Sequence, residues 1–167
     1  MSDDAPLHAR LLQLRIVIGA LIAGVTTFML VAMFLQRDGG SFPVDQDPAF
    51  AHLLMMTLAG LGLALVIAHS AVRRIQTRKL RESPSPSVRS GQVDDLALFA
   101  PFQTLTLVSA AMAEGFALFA TVIFLVTAEK AALVGVAIGL LALFWMFPTA
   151  ASFARFRNAV SDGSVVP

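Results

Sequence analysis

The stretch Phe102-Gln-Thr-Leu-Thr-Leu-Val-Ser-Ala-Ala-Met-Ala-Glu-Gly-Phe-Ala-Leu-Phe-Ala-Thr-Val-Ile-Phe-Leu-Val-Thr127 carries one charge, Glu114, in an otherwise uncharged run. A helix needs roughly 20 apolar residues to cross about 30 Å of hydrocarbon at 1.5 Å per residue. This stretch meets that length and so predicts a transmembrane helix. Three others do the same. Residues 14–35 hold no charge after Arg15, and residues 51–72 are bounded by His52 and by Arg73 and Arg74. Residues 131–153 form the last, with Pro148 near its far end.

Composition agrees with a lipid solvent. Of the 167 residues, 57% are hydrophobic and 14% are charged, where soluble chains carry nearer 25% charge. A soluble domain of this size could not hide so much apolar surface. The formal net charge of +1 gives no reason to expect a nucleic-acid partner. With no Cys there is no disulfide framework, no thiolate metal site and no cysteine nucleophile. Trp145 is the single Trp and Tyr is absent, so Phe carries most of the aromatic load. A secretory signal is the rival reading of the first span. Its apolar run is too long for a signal core, and no small-residue cleavage site follows.

Lys and Arg gather on one side of the expected membrane, and this bias orients short loops. Arg10 and Arg15 precede the first span, and Arg155 and Arg157 follow the fourth. Arg73, Arg74, Arg78, Lys79, Arg81 and Arg89 lie between spans two and three. The opposite side has only Arg37 and Lys130, beside Asp38, Asp45, Asp47 and Glu129. Both termini are therefore expected in the cytoplasm, with the inner membrane of a bacterium as the expected location. The domain reading is a cytoplasmic N-terminus (1–13), a first hairpin (14–72), a linker (73–101), a second hairpin (102–153) and a cytoplasmic tail (154–167). The fold class is an all-α integral membrane four-helix bundle.

The connecting segments carry little chemistry. Asp45 and Asp47 lack the Gly and distal Glu of a calcium loop, so residues 37–48 read as a solvated turn. Residues 73–81 read as a basic continuation of span two that attracts anionic headgroups. Residues 82–91 form a Pro- and Ser-rich linker, in which Ser83, Ser85 and Ser87 read as flexible-linker residues. Asp94 or Asp95 is expected to cap a short turn, Leu96 to Ala100, ahead of Pro101. Residues 128–131 are so few that spans three and four must form a tight antiparallel hairpin.

The two hairpins look duplicated: spans one and three share Leu14/Leu105, Val17/Val108, Ala20/Ala111, Gly24/Gly115 and Phe28/Phe119, and spans two and four, less closely, Leu54/Leu133, Gly60/Gly139 and Leu61/Leu140. Where the second copy has Glu114, the first has Ala23. Small residues recur at four-residue spacing in Ala20 and Gly24, Gly60 and Ala64, and Gly135 and Gly139, which lets helix backbones approach in lipid. On span three, helical spacing puts Ala110, Ala113, Glu114, Ala117 and Thr121 on one face, expected to look into the bundle.

Glu114 lies about 18 Å from either end of its span, where a carboxylate costs about 2.5 kcal/mol or more. Thr26, Thr27, Thr57, Ser109 and Thr121 are the hydrogen-bond partners available to it. Two readings follow: an acid that binds a proton or cation, or an acid that only locks helices together. His52 and His69 read as ordinary interfacial residues. No nucleophile–base pair, metal cluster or phosphate loop is present, so neither enzyme chemistry nor a cofactor is expected. The expected partners are the lipid bilayer and either further copies of the chain or another membrane protein.

Thr106-Leu-Val-Ser-Ala-Ala-Met-Ala-Glu-Gly-Phe-Ala-Leu-Phe-Ala-Thr-Val-Ile-Phe-Leu125 resembles the carboxylate-bearing helix of the rotary ATPase proteolipid, subunit c. Span two, with Gly60-Leu-Gly62, resembles its glycine-rich partner helix. That resemblance implies an ion-binding role for Glu114. The chain departs from the family in its two-glycine motif, its long basic loop and its expected cytoplasmic termini.

Overall fold

A computed structural model describes residues 5–37, 48–82 and 95–161. All described secondary structure is helical: α1 (Ala5–Arg37), α2 (Pro48–Glu82), α3 (Asp95–Thr127), α4 (Ala132–Trp145) and α5 (Ala150–Ser161). Leu7–Arg37, Ala49–Val72 and Leu98–Thr127 are each long and apolar enough to cross a membrane. The chain is membrane-embedded. Residues 38–47, expected as an outer turn, and residues 83–94, which include Asp94 and most of the expected Pro/Ser linker, lie outside the described residues.

The third span extends further than the sequence suggested. No separate turn precedes it, because the helix starts at Asp95 and continues through Pro101. It ends in an αL cap, where Ala128 has φ 55° and its N–H donates to the Phe124 carbonyl at 2.8 Å. The chain then turns directly into α4.

The fourth span is not one helix. α4 has 14 residues, about 21 Å of rise, which falls short of a 30 Å hydrocarbon core. It ends at Trp145, and α5 departs at 73°. The cause is local. Pro148 disfavours helical geometry at Phe147, and a new N-terminus forms around Thr149 and Ser152. The Ser152 N–H donates to the Thr149 hydroxyl at 3.0 Å, while the Thr149 N–H donates to the Ser152 hydroxyl at 2.9 Å. This reciprocal pair is a variant of the capping box.

The helices are arranged around α3. In α3's most apolar window 44% of residues are buried, against 6% for α2, so α3 is the inner helix and α2 the peripheral one. α1, α2 and α4 all pack on α3, whereas α1 and α2 are not a packed pair. The first two spans thus lean separately on the third instead of forming their own close hairpin. α1 presents Leu11, Leu14, Ile18, Val25 and Ala32 inward at intervals of three, four and seven, the seam of a helix packed along its length. Gln36, at the far end of α1, donates to the Leu125 carbonyl at 2.6 Å, so α1 and α3 run parallel.

The opposite end is closed by aromatic packing. Phe153 and Phe156 of α5 meet Phe99 and Phe102 at the start of α3, with ring centroids 5.3–6.0 Å apart. Arg15 crosses from α1 to donate through Nε to the Pro148 carbonyl at 2.9 Å. A carbonyl freed by the helix break is thereby satisfied.

Candidate functional site

Small residues bring α3 and α4 together. A Cβ added at Gly139 would lie 2.6 Å from the Ala117 Cβ and 3.1 Å from the Ala113 carbonyl oxygen. At Gly135 it would lie 3.0 Å from the Ala120 Cβ and 3.1 Å from Leu58. These glycines therefore sit where two backbones pass. Ala20, Gly24, Gly60 and Ala64 are placed otherwise: all four are exposed, and a Cβ at Gly24 or Gly60 would meet nothing within 4 Å. The spacing that was expected to let helix backbones approach faces outward on α1 and α2. Helical spacing alone does not say which neighbour a small face will meet.

Glu114 occupies the rim of α3's inner face. Ala110, Ala113, Ala117 and Thr121 are buried, while Glu114 is half-buried and Ala111 and Gly115 beside it are exposed. By the offset of the Gln36 bonds, Glu114 stands level with Val25 of α1. Among the described residues it makes no hydrogen bond or ion pair.

The hydroxyls expected to serve Glu114 are engaged elsewhere. Thr26 donates to the Ile22 carbonyl, Thr57 to Leu53 and Thr121 to Ala117, each one turn back on its own helix. Such back-bonding satisfies a threonine in lipid without crossing to a neighbour. Thr27 is exposed on α1. Ser109 faces α2, where its hydroxyl is 3.0 Å from the His69 Nδ1. His69, read from sequence as an ordinary interfacial residue, is thus a half-buried interhelical partner. Its sequence signal was weak: a single His four residues before Arg73 says nothing of the face it occupies. The described part of the basic set is α2 helix through residues 73–81, with Arg74 exposed; the side chains of Arg73, Arg78, Lys79 and Arg81 lie outside the description.

The His69–Ser109 pair ends a groove between α2, α3 and α4. Its volume is about 650 Å³, and its walls include Leu58, Gly62, Met112, Phe116, Ile138 and Gly139. Glu114 does not line it. Phe116 reaches across to Gly62, where a Cβ would lie 3.1 Å from the ring. Gly62 with Phe116, and His69 with Ser109, run in opposite numerical order, so α2 and α3 are antiparallel.

Comparison with protein-family models, with characterised proteins and with solved structures finds no match. The likeness of residues 106–125 to the proteolipid helix accordingly rests on those residues alone.

Proposed function

We propose that the chain is a non-enzymatic multi-pass membrane protein whose Glu114 binds a proton or a cation within the span of α3. One observation carries the reading. An acid that served only as packing glue would spend its oxygens on a cross-helix hydrogen bond. Glu114 has none among the described residues, while Thr26, Thr57, Ser109 and Thr121 are committed to other acceptors or partners. A half-buried carboxyl with unused bonding capacity is suited to exchange a bound ion. The bias of Lys and Arg supports cytoplasmic termini in a bacterial inner membrane.

Dicyclohexylcarbodiimide, which modifies protonated carboxyl groups in apolar surroundings, tests the reading on the full chain in membranes. Glu114 is expected to carry the adduct, sodium or another small cation to protect it, and Glu114→Gln to abolish it. Absence of an adduct at Glu114, in a protein labelled at exposed acids by a water-soluble carbodiimide, would refute ion exchange. For orientation, a cysteine placed at Ser85 should resist impermeant thiol reagents in intact cells. Labelling from outside would reverse it.

A second reading, a structural or accessory subunit, is favoured by the outward faces of Ala20, Gly24, Gly60 and Ala64. Small exposed faces admit another helix at close range in lipid, from a further copy or another membrane protein. Under that reading Glu114→Gln lowers assembly and leaves no cation-sensitive labelling to lose.

A further inference from the structure

The groove between α2, α3 and α4 is separate from Glu114, and its chemistry changes along its length. It runs from Met55 to His69 along α2, about 21 Å at the helical rise. Its volume of about 650 Å³ falls within the range of small-molecule sites. Among the described residues His69 and Ser109 are the only hydrogen-bonding side chains that line it. They meet at one end.

Depth gives that end its meaning. The α2–α3 pairing puts His69 level with Ser109. The α3–α4 crossings, Gly135 on Ala120 and Gly139 on Ala117, put Trp145 level with about Ala111. Those two levels differ by about 3 Å. Trp145 is 92% exposed, and Trp collects where hydrocarbon meets headgroups, because its ring is apolar and its N–H needs a partner. The polar end of the groove therefore lies at headgroup depth, which sets Glu114, five residues further along α3, about 7.5 Å inside that level and so shallower than the mid-span depth expected from the sequence. Just past it α2 turns basic at Arg73 and Arg74, which favours anionic lipid. One leaflet of a 30 Å core is about 15 Å deep, so a groove of about 21 Å accepts a whole acyl chain.

We propose that this groove binds one acyl chain of an anionic phospholipid, with the headgroup end at His69 and Ser109. Gly62, Gly135 and Gly139 line it and set how closely its walls approach, since the space a Cβ would take at each is filled by Phe116, Leu58 or Ala117. The chain fills an apolar channel that water would not wet, and the polar pair sets its register.

The test uses the full chain in phosphatidylcholine nanodiscs doped with phosphatidylglycerol that carries a photoreactive acyl chain. Adducts mapped by mass spectrometry should concentrate on groove residues such as Met112 and Phe116. They should exceed those from a phosphatidylcholine probe by about fivefold or more, the effect of one basic residue on an anionic headgroup. Ala59→Phe, which fills the groove, should remove most of them. Ala64→Phe, on an exposed part of α2 away from the groove, should not. His69→Leu, which removes half of the polar end, should lower labelling of the groove by the phosphatidylglycerol probe. If Ala59→Phe fails to give a monodisperse protein, Ala142→Leu narrows the groove from α4 and carries the same expectation. Adducts spread evenly over outward faces, or unchanged by a well-behaved groove-filling variant, overturn the site. Equal labelling by phosphatidylcholine, or stronger labelling by a photoreactive free fatty acid, overturns the choice of ligand.

Discussion

Replacing Gly139 by alanine probes the crossing of α3 and α4 with a single methyl group. That methyl would lie 2.6 Å from the Ala117 Cβ, 3.1 Å from the Ala113 carbonyl oxygen and 3.1 Å from the Ala117 Cα. None of these atoms can rotate away, so relief requires the helices to separate. Overpacking costs about 1–3 kcal/mol, and rigid neighbours place this case in the upper part of that range. Alanine recovers about 1 kcal/mol through its better helix propensity. The expected net loss is about 1–2 kcal/mol, or roughly 5–30-fold in the ratio of folded to unfolded protein. Gly24→Ala and Gly60→Ala are the matched controls, since a methyl at either meets nothing within 4 Å. They should be neutral or more stable by up to about 1 kcal/mol. Reversible unfolding in mixed micelles with sodium dodecyl sulfate, followed by the fluorescence of Trp145, reads all three. If Gly139→Ala were as stable as Gly24→Ala, the close passage of the two helices would be wrong.

Four further outcomes follow from the same contacts. Ala128→Gly should stabilise by about 1 kcal/mol in that unfolding assay, because glycine relieves the αL conformation at φ 55°. Phe153→Ala should cost about 3 kcal/mol by removing a buried ring that packs on Phe99 and Phe102, and hydrogen exchange should accelerate in α5. Arg15→Met should cost about 1–2 kcal/mol by orphaning the Pro148 carbonyl, with limited proteolysis at residues 146–149 as the readout. Thr121→Val should change stability by less than about 1 kcal/mol, since its hydroxyl bonds only its own helix at Ala117. A larger loss at Thr121 would show that its hydroxyl does more than bond its own helix.

The three long helices were legible because lipid imposes a length and an absence of charge that a sequence displays directly. Residues 14–35, 51–72 and 102–127 each lie within one helix. The break after Trp145 was not read, although its signals are present. Apolar content runs on through Phe153, and hydropathy has no direction, so Phe153 counted toward a span while it packs at 5.3 Å on Phe102. Pro148 followed by Thr149 and Ser152 is the local signature that marks the new helix start. At the site, sequence singled out Glu114 from its charge and depth, yet not its place on the rim or its lack of a described partner. Ser109 was expected as a hydrogen-bond partner available to Glu114, and its partner proved to be His69. Pairing across helices depends on how α2 and α3 are rotated, which no spacing within either helix encodes. The outward faces of Gly24 and Gly60 have the same origin.

The arrangement around α3 also bears on how the protein assembles during synthesis. α1 and α2 precede α3 in the chain and, among the described residues, do not form a closely packed pair, so their inward faces await α3. At about 5–20 residues per second, the ribosome needs on the order of a few seconds to extend from the end of α2 to the end of α3. Through that interval Leu14, Ile18 and Val25 must be held by lipid or by the insertion machinery. The nascent chain therefore reaches its packed form late, when its third helix arrives as the template for the two already waiting.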